Sequence, residues 1–410
     1  GMTFTFFSNF LNHHQLPLCL AWYEALGADF TFVATQPFDA QEVAASYCDM
    51  NTAYPFCLAA YESAEASARA QHLIDSSDIV LYGAAPVAMF AARLAQGKLT
   101  FRYSERIFKP DYTRNMQYTY LCAVWESICF HRRKNAYLLS AGAYTAHDYA
   151  IAGGFRGRAY RWGYFPAVES SGTTDTREWT DFNASGAAAT SEQQSAPLRI
   201  LWAGRMIPCK CAEKVLPLVQ ALQEEKLPFV LTMAGDGPLR TALEKDFAPF
   251  QTKVHFSGMQ SVQATRQLMR ESDIFLFTSD ENEGWGAVLS EAMADGCAVL
   301  TSHTGGAAPF LVRDGENGLL FDASSETDFV QKGLLLAHDK ALRVRLGERA
   351  ARTMHEVWNA QVAAQRFLQL GEALLYGNRE NAAAWEDGPC SRDAVLTPRK
   401  MKKIVHRRTL

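Results

Sequence analysis

Short apolar runs alternate with longer helix-like stretches in two parts of the chain. In the first part the runs lie at residues 3–8, 30–35, 79–84, 99–104, 136–140 and 159–164. In the second part they lie at residues 199–203, 229–234, 253–257, 274–278 and 298–302. The segments between the runs are long enough for the crossover helices that parallel strands require. The pattern therefore predicts two Rossmann-like α/β domains, each with a parallel sheet.

The segment between these two parts differs in composition. Residues 170–196 are rich in Ser, Thr, Ala, Gly and Gln, and few large apolar residues follow Trp179 and Phe182. Such a segment buries too little surface to offset the entropy lost on ordering, so we expect a mobile connection. We predict a first domain over residues 1–169 and a second over residues 197–376, with a helix over residues 358–376.

Composition and charge argue against several other classes of protein. A formal net charge of -4 and a pI near 6.2 disfavour a nucleic-acid binder, because phosphate contacts need a basic face. The nine cysteines are scattered, as in a reduced cytosolic protein, and Cys209 and Cys211 have no second ligand pair, so we expect no metal site. No secretion signal opens the chain, and no uncharged run is long enough to span a bilayer. We expect a cytoplasmic protein.

The most informative segment runs from residue 283 to residue 296. It places two carboxylates, Glu283 and Glu291, eight positions apart across a glycine-rich turn that opens a helix over residues 288–294. Glycines let the backbone approach a ligand, and free amides at a helix start attract an anion such as a diphosphate. The carboxylates can accept hydrogen bonds from sugar or ribose hydroxyls, although two solvated glutamates are the plainer alternative. This turn and the start of the helix comprise Gly284, Trp285, Gly286, Ala287 and Val288.

Two cations follow the first strand of the second part. Arg205 comes just after the run that ends at Ala203, and Lys210 lies five residues further on. Ligands of doubly wound sheets bind beyond the carboxyl ends of the strands, so both cations can reach the same anion. The alternative is a loop with two solvent-facing charges.

With its flanks, the segment from Glu283 to Glu291 resembles the E-x7-E signature of retaining GT-B glycosyltransferases of the family 4 type. Further segments lie in the order that this family requires: Gly204-Arg205 with Lys210, residues 234–239, residues 254–258, and Gly305-Gly306 with residues 314–320. The resemblance covers about residues 198 to 375. The chain departs from the family at Cys211, where glycine is usual, and at residues 307–310, where an acidic residue is frequent.

The resemblance implies a GT-B fold, in which two Rossmann-like domains with parallel sheets face a cleft and the C-terminal helices, here residues 377–410, complete the first domain. It implies transfer of a hexose from a UDP- or GDP-sugar to a glycan or lipid-linked acceptor, with neither a metal nor a cofactor beyond the nucleotide-sugar substrate. Arg205 and Lys210 would bind the diphosphate together with Gly204, Glu283 would face the hexose and Glu291 the ribose. The turn and helix start over residues 284–288 would line the donor pocket. Gly258 and Met259 are candidates for the base slot.

Several alternatives remain at this stage. One alternative is that Glu283 acts as a covalent nucleophile, although the resemblance favours a front-face displacement in which the leaving phosphate helps to deprotonate the acceptor. An epimerase of the same fold and a non-catalytic nucleotide-sugar-binding protein are the rival functions.

The first domain is expected to supply the acceptor site. Candidates are His13 and His14 after the first strand, Glu105 and Arg106 after another, and Ser140. The alternatives are helix-start capping for the histidines and a structural ion pair for Glu105 or Arg106. The basic tail over residues 399–408 either contacts anionic lipid at the inner face of a membrane or is solvated.

Overall fold

The computed structural model describes residues 1–38, 49–110, 115–168, 196–378, 382 and 385–407. The predicted connection over residues 170–196 lies almost entirely outside the described residues. The chain divides into two compact units: Gly1–Phe165 with Trp358–Leu396, and Pro166–Val357 with Thr397–Leu410. Each unit contains one parallel sheet and its crossover helices, which confirms the predicted fold class.

The first unit is built on a seven-stranded sheet with the strand order β3-β2-β1-β4-β5-β6-β7. Its strands are β1 (Phe4–Ser8), β2 (Phe30–Ala34), β3 (Cys57–Ala59), β4 (Ile79–Tyr82), β5 (Thr100–Ser104), β6 (Ala136–Ala141) and β7 (Ala159–Trp162). Its helices are α1 (Leu16–Leu26), α2 (Met50–Ala53), α3 (Ala64–Ser76), α4 (Ala91–Ala95), α5 (Met116–Glu126) and α6 (Thr145–Ile151), and a π-helical turn (Ser127–His131) extends α5. The edge strand β3 was not predicted, because a strand of three residues leaves no recognisable apolar run.

The second unit is built on a six-stranded sheet with the strand order β10-β9-β8-β11-β12-β13. Its strands are β8 (Leu198–Ala203), β9 (Phe229–Ala234), β10 (Val254–Gly258), β11 (Ile274–Phe277), β12 (Ala298–Ser302) and β13 (Leu319–Phe321). Its helices are α7 (Leu216–Glu224), α8 (Arg240–Asp246), α9 (Val262–Glu271), α10 (Ala287–Ala294), α11 (Ala308–Leu311), α12 (Glu326–His338) and α13 (Lys340–Glu356). Two helices follow, α14 (Ala360–Leu375) and α15 (Pro398–Arg407).

The C-terminal helices divide between the units differently from the prediction. Helix α14, expected in the second domain, belongs to the first unit. Its Phe367 ring packs at 4.9 Å from Phe4 and 5.3 Å from Trp22, and the Trp22 Nε1 donates a hydrogen bond to the Ala364 carbonyl at 3.1 Å. Burial of this aromatic cluster explains the placement.

The last helix, α15, is also placed differently: it belongs to the second unit rather than the first. Its Met401 and Val405 are buried. On its other side, the Lys402 Nζ donates to Ser324 Oγ at 2.8 Å, and His406 Nε2 lies 2.7 Å from Asp322 Oδ2. The basic tail that sequence analysis assigned to lipid or solvent is therefore docked on protein as far as residue 407.

Strand order determines where the ends of two central strands meet in the second unit. β8 is hydrogen-bonded to β9 on one side and to β11 on the other, with Ile200 opposite Ile274 and Leu201 opposite Phe275. From β8 to β10 the chain adds strands on one side of β8, and from β11 onward it adds them on the other side. The loops after β8 and β11 therefore leave the same edge of the sheet side by side. Arg205 and Lys210 follow β8, and Glu283 follows β11.

Candidate active site

The loop after β8 is locked to the loop after β9. The Met206 amide donates to the Asp236 carbonyl at 2.8 Å, and the Gly204 amide donates to the Ala234 carbonyl at 3.0 Å. Gly235 has a φ of +148°, and a Cβ at this position would lie 1.8 Å from the Gly204 carbonyl oxygen. Only glycine permits this approach, which fixes the backbone on both sides of Arg205.

Lys210 and Glu283 form an ion pair, although they lie in different loops. The Lys210 Nζ contacts Glu283 Oε2, and both side chains are largely buried, with 18% and 12% exposed. The Ser279 hydroxyl donates to the same Glu283 oxygen at 3.0 Å. The Thr278 hydroxyl donates to the Lys210 carbonyl at 2.8 Å, which ties the end of β11 to the lysine loop. Two residues predicted separately from the two motifs therefore meet at one point.

Ser279 was not predicted as a site residue. It holds Glu283 by its hydroxyl, while its carbonyl accepts hydrogen bonds from Ser302 at 2.6 Å and Thr304 at 2.7 Å. The available signal was the polar pair Thr278-Ser279 at the end of a buried apolar run. A hydroxyl at that position could have been identified as a neighbour of the strand-end carboxylate.

Arg205 differs from Lys210 in having no partner. Its side chain is exposed, and within the described residues it makes no hydrogen bond or ion pair. Its positive charge is therefore available to an external anion at the edge of the sheet where Lys210 lies.

Cys211 explains one departure from the family pattern. It has φ +50° and ψ +44°, in the left-handed region where glycine is favoured. A cysteine can adopt this conformation at a cost of about 1 kcal/mol or more. The backbone that glycine usually provides after the lysine is therefore preserved here.

The glycine-rich turn before α10 is shaped by close packing on β11. Gly286 has a φ of +104°, and a Cβ there would lie 2.4 Å from Phe277 Cζ. The Trp285 side chain is buried, and its carbonyl accepts a hydrogen bond from the Ala307 amide at 2.9 Å. Only the backbone of this turn can therefore meet a ligand. Helix α10 begins at Ala287, and no side chain caps its first amides.

Glu291 lies on α10 in a poorly solvated position. Burial raises the pKa of its carboxyl from 4.5 to about 7, an effect that Arg266 opposes and Asp295 reinforces. Arg266 itself pairs with Asp295, at 2.6 Å between Nε and Oδ2. Within the described residues the Glu291 carboxylate accepts no hydrogen bond, so ligand hydroxyls would satisfy it.

Gly258 and Met259 lie at the end of β10. The Gly258 carbonyl accepts a hydrogen bond from the Gly235 amide at 2.9 Å, which connects this strand end to the loop after β9. The Met259 side chain is 80% exposed. Both residues are accessible beside the loops that hold Arg205.

The two histidines of the first unit lie together after β1. Their rings are 4.1 Å apart, and the His14 ring lies 5.6 Å from that of Tyr164. Burial and the neighbouring His13 lower the pKa of His14 to about 4, which keeps it neutral. The Asn12 side chain, rather than either histidine, accepts the amide hydrogen bonds before α1, at 3.0 Å and 3.1 Å.

The other candidates in the first unit have partners within it. Arg106 binds Asp148 through two hydrogen bonds of 3.1 Å, and the Asp148 side chain is only 1% exposed. Glu105 pairs with Lys109 at 3.0 Å. Both contacts agree with the alternative of a structural ion pair for Glu105 or Arg106. The sequence contained no signal that Asp148 is the partner of Arg106.

Ser140 does not lie on an accessible surface. It is fully buried in β6. Burial raises the pKa of the nearby Asp393 to about 7, an effect that the Ser140 hydroxyl opposes. We therefore withdraw Ser140 as a candidate for contact with an acceptor. Ser140 lies within an apolar run in a parallel sheet. Both faces of such a sheet are covered by other elements, so side chains within the strand are buried whichever face they are on.

Neither a metal centre nor a membrane span is found in the described part of the chain. No three histidine, cysteine or acidic side chains there are grouped to hold a metal ion. No helix among these residues is long and apolar enough to cross a bilayer.

The second unit matches a known sequence family. Residues 189–353 match the family described as glycosyl transferases group 1. Over 148 residues the chain is 32% identical to the lipopolysaccharide core biosynthesis glycosyltransferase LpsE of Rhizobium meliloti (strain 1021), covering 35% of this chain and 42% of LpsE. It is 30% identical over 169 residues to N-acetyl-alpha-D-glucosaminyl L-malate synthase of Bacillus anthracis, covering 40% of this chain and 42% of that protein. The matched region spans less than half the length of either relative.

Both units together resemble a solved structure. HepE of Anabaena in complex with UDP aligns with a TM-score of 0.62 and 15% identity over 91% of this chain and 99% of HepE. A similarity at this identity shows the fold alone. The chain therefore has the GT-B fold, and its residues 189–353 are similar in sequence to the family described as glycosyl transferases group 1.

Proposed function

We propose that the chain is a retaining glycosyltransferase that transfers a hexose from a UDP- or GDP-sugar to a glycan or lipid-linked acceptor without a metal. The observation that carries the proposal is the ion pair of Lys210 with Glu283 in the loops after β8 and β11, with Arg205, which has no partner among the described residues, also in the loop after β8. UDP bound to HepE, and the role of LpsE in lipopolysaccharide core biosynthesis, support a nucleotide-sugar donor and a glycan acceptor.

Arg205 and Lys210 would stabilise the charge that develops on the leaving diphosphate. Arg205 offers a planar fork of donors and Lys210 a point charge, and both cations are held on fixed backbone before the donor binds. The first amides of α10 add partial positive charge to the same anion. Together these groups supply the neutralisation that a divalent cation provides in other transferases.

Glu283 and Glu291 would orient the donor through its hydroxyls. In the donor-free protein the charge of Lys210 neutralises Glu283. A donor phosphate would attract Lys210 and free Glu283 to bind the hexose hydroxyls. The Ser279 hydroxyl would still donate to one oxygen of Glu283. Glu291 accepts no hydrogen bond within the described residues, and its ionised form suits the ribose hydroxyls. Retention of configuration would follow from attack on the face that the diphosphate leaves.

The test is turnover with a panel of radiolabelled UDP-, GDP- and ADP-sugars, scored by release of nucleoside diphosphate. One donor should be consumed, EDTA should not reduce the rate, and Lys210→Ala should lose activity while Lys245→Ala, at an exposed lysine, should keep it. Full turnover by Lys210→Ala would contradict the phosphate assignment. Binding of a donor without turnover, over a range of acceptors, would favour the non-catalytic alternative.

Product stereochemistry separates the remaining alternatives. Proton NMR of the fresh product should show the donor's anomeric configuration retained. An epimerised nucleotide-sugar, formed without an acceptor, would indicate the epimerase. A glycosylated Glu283 peptide detected by mass spectrometry would replace the front-face route with a covalent intermediate.

A further inference from the structure

Helix α5 and the π-helical turn after it expose their apolar side chains. Tyr118 is 66% exposed, Leu121 64%, Trp125 66% and Ile128 50%. Their spacings of three, four and three residues place them along one face, which we call the apolar stripe. An ordinary surface helix turns such a face toward the core, so this helix is inverted with respect to its unit.

The opposite face of the same helix is well packed. Ala123 and Ser127 are buried, and the Ser127 hydroxyl donates to the Ala123 carbonyl at 2.8 Å. Ala123 packs in a small cluster with Phe108 and Ala152. The helix is therefore held by its small residues, and the exposure of the large ones is a feature of the folded unit.

A basic cavity begins where the stripe ends. Arg132, four residues after Ile128, lines a cavity of about 350 Å³ together with Arg156 and Arg158. Arg132 Nε donates to the Gly153 carbonyl at 3.1 Å, and Arg156 Nη2 donates to the Ala150 carbonyl at 3.1 Å. Backbone carbonyls hold these guanidinium groups in place without cancelling their charge. No carboxylate in the described part of the chain forms an ion pair with any of the three arginines.

We propose that the apolar stripe and the arginine cavity form one docking surface for an anionic phospholipid bilayer. The tyrosine, tryptophan and aliphatic side chains would lie at the boundary between headgroups and acyl chains, with the helix in the plane of the membrane. The arginines would bind headgroup phosphates. The flanking charge fits this occupant, because residues 115–134 contain one carboxylate, Glu126, against the cations Arg132, Arg133 and Lys134.

A second copy of the chain fits this surface less well. A two-fold dimer presents the same patch from both subunits, so a contact on the stripe would bring two arginine cavities toward one another. Like charges in such a contact oppose association. A phosphate-rich surface complements the cavity instead.

The basic tail helix α15 is a weaker candidate for the same role. Its two large apolar side chains nearest the protein, Met401 and Val405, are buried, and Lys402 and His406 bind Ser324 and Asp322. Within the described part of the chain nothing covers the stripe in this way, since four large side chains on it are at least half exposed. We therefore expect substitutions in the apolar stripe of α5 to weaken membrane binding and substitutions in α15 to leave it unchanged.

The test is sedimentation of the full chain with vesicles of phosphatidylglycerol or of phosphatidylcholine. The protein should bind the anionic vesicles. Leu121→Ser with Trp125→Ser should weaken that binding by at least about tenfold. Arg132→Gln with Arg156→Gln should weaken it by about fivefold per arginine and flatten its salt dependence. Leu335→Ser, which removes an exposed leucine from α12, and Lys400→Gln with Lys403→Gln on the tail should leave binding within about twofold.

Thermal unfolding curves matching the wild type will show that each variant folds. Competition with inorganic phosphate, at matched ionic strength, separates a headgroup from a free phosphate. The proposal is overturned by a wild type that ignores anionic vesicles, by stripe variants that bind like wild type, or by release with inorganic phosphate alone. It is also overturned if light scattering shows a wild-type dimer that the stripe variants convert to monomer. No donor or turnover is involved, so this result is independent of the proposed transferase activity.

Discussion

One arginine that follows a strand in the first unit, Arg106, and one in the second unit, Arg205, differ in whether they have a partner. In the first unit Arg106 binds the buried Asp148 at 3.1 Å, and Glu105 binds Lys109 at 3.0 Å. In the second unit Arg205 is exposed and Glu291 is half-buried, and neither side chain has a hydrogen-bond partner in the described part of the chain. The ion pair of Arg106 supports the fold, whereas the charge of Arg205 and the carboxyl of Glu291 are available to a ligand.

The largest expected effect is the loss of stability that follows removal of Arg106. Arg106→Ala leaves the buried Asp148 without its partner and should destabilise the first unit by about 3–5 kcal/mol. Hydrogen exchange of the β6 amides measures this free energy within the unit. Arg106→Ala combined with Asp148→Asn should cost less than Arg106→Ala alone. A loss of stability below about 1 kcal/mol in Arg106→Ala would show that its pair with Asp148 is no more than an ordinary surface ion pair.

Removal of Arg205 should reduce the rate of donor turnover and leave stability nearly unchanged. Arg205→Ala removes an exposed cation that makes no hydrogen bond or ion pair with the described residues, so stability should change by no more than about 0.5 kcal/mol. The rate of donor turnover should fall by about 10²–10³, as for loss of one preorganised donor at developing charge. Steady-state kinetics with the selected donor measure this change, with Lys245→Ala as the control. A large loss of stability with unchanged turnover would reverse the roles of Arg205 and Arg106.

The buried Glu291 predicts a dependence of stability on pH. Its pKa is raised from 4.5 in the unfolded chain to about 7 in the folded donor-free protein, so the folded state binds the extra proton. This contribution is complete below pH 4.5, is lost as pH rises through about 7, and can reach about 3 kcal/mol. Hydrogen exchange of the β12 amides measures the second unit, and Glu291→Gln should flatten its pH slope.

Asp393 provides the matched comparison in the first unit. Burial raises its pKa to about 7 as well, so the first unit should lose stability over the same pH range. Glu291→Gln should leave that slope, read from the β6 amides, unchanged. An equal effect of Glu291→Gln on both units would contradict the local origin of the titration.

The smallest expected effect concerns the tail helix. His406→Ala removes one of the contacts to Asp322 and should weaken docking of α15 by about 0.2–1 kcal/mol, the usual range for an exposed pair. Hydrogen exchange of the Met401 and Val405 amides should become faster. Lys403→Ala, at an exposed position on the same helix, is the control, and equal rates in both variants would show that His406 does not hold the helix.

The sequence was sufficient to predict most of the fold and to single out Lys210 and Glu283, which the structure brings into contact. Apolar runs located every strand of the first sheet except β3, because burial of parallel strands on both faces leaves an uninterrupted apolar signal. Lys210 and Glu283 were predicted from motifs, and their contact follows from β8 and β11 being neighbours.

Other features depend on tertiary structure and left no local signal. The apolar pattern of α14 predicted that one face is buried, but not that Trp22 and Phe4 of the first unit bury it. In the same way, an apolar helix such as α5 ordinarily indicates a core helix, and only the folded unit shows that Trp125 is exposed. The choice of Asp148 as partner for Arg106 is likewise a long-range contact.

The most direct test of the account compares a nucleoside diphosphate with its nucleoside as ligands. The diphosphate of the selected donor and the free nucleoside should be titrated into wild type, Arg205→Ala and Lys210→Ala, with ligand-detected NMR for the weaker complexes. If both cations bind the diphosphate, each variant should lose at least about tenfold in affinity for the diphosphate and less than about twofold for the nucleoside. Equal losses for both ligands, or unchanged affinity for the diphosphate, would contradict the assignment of these residues to the donor.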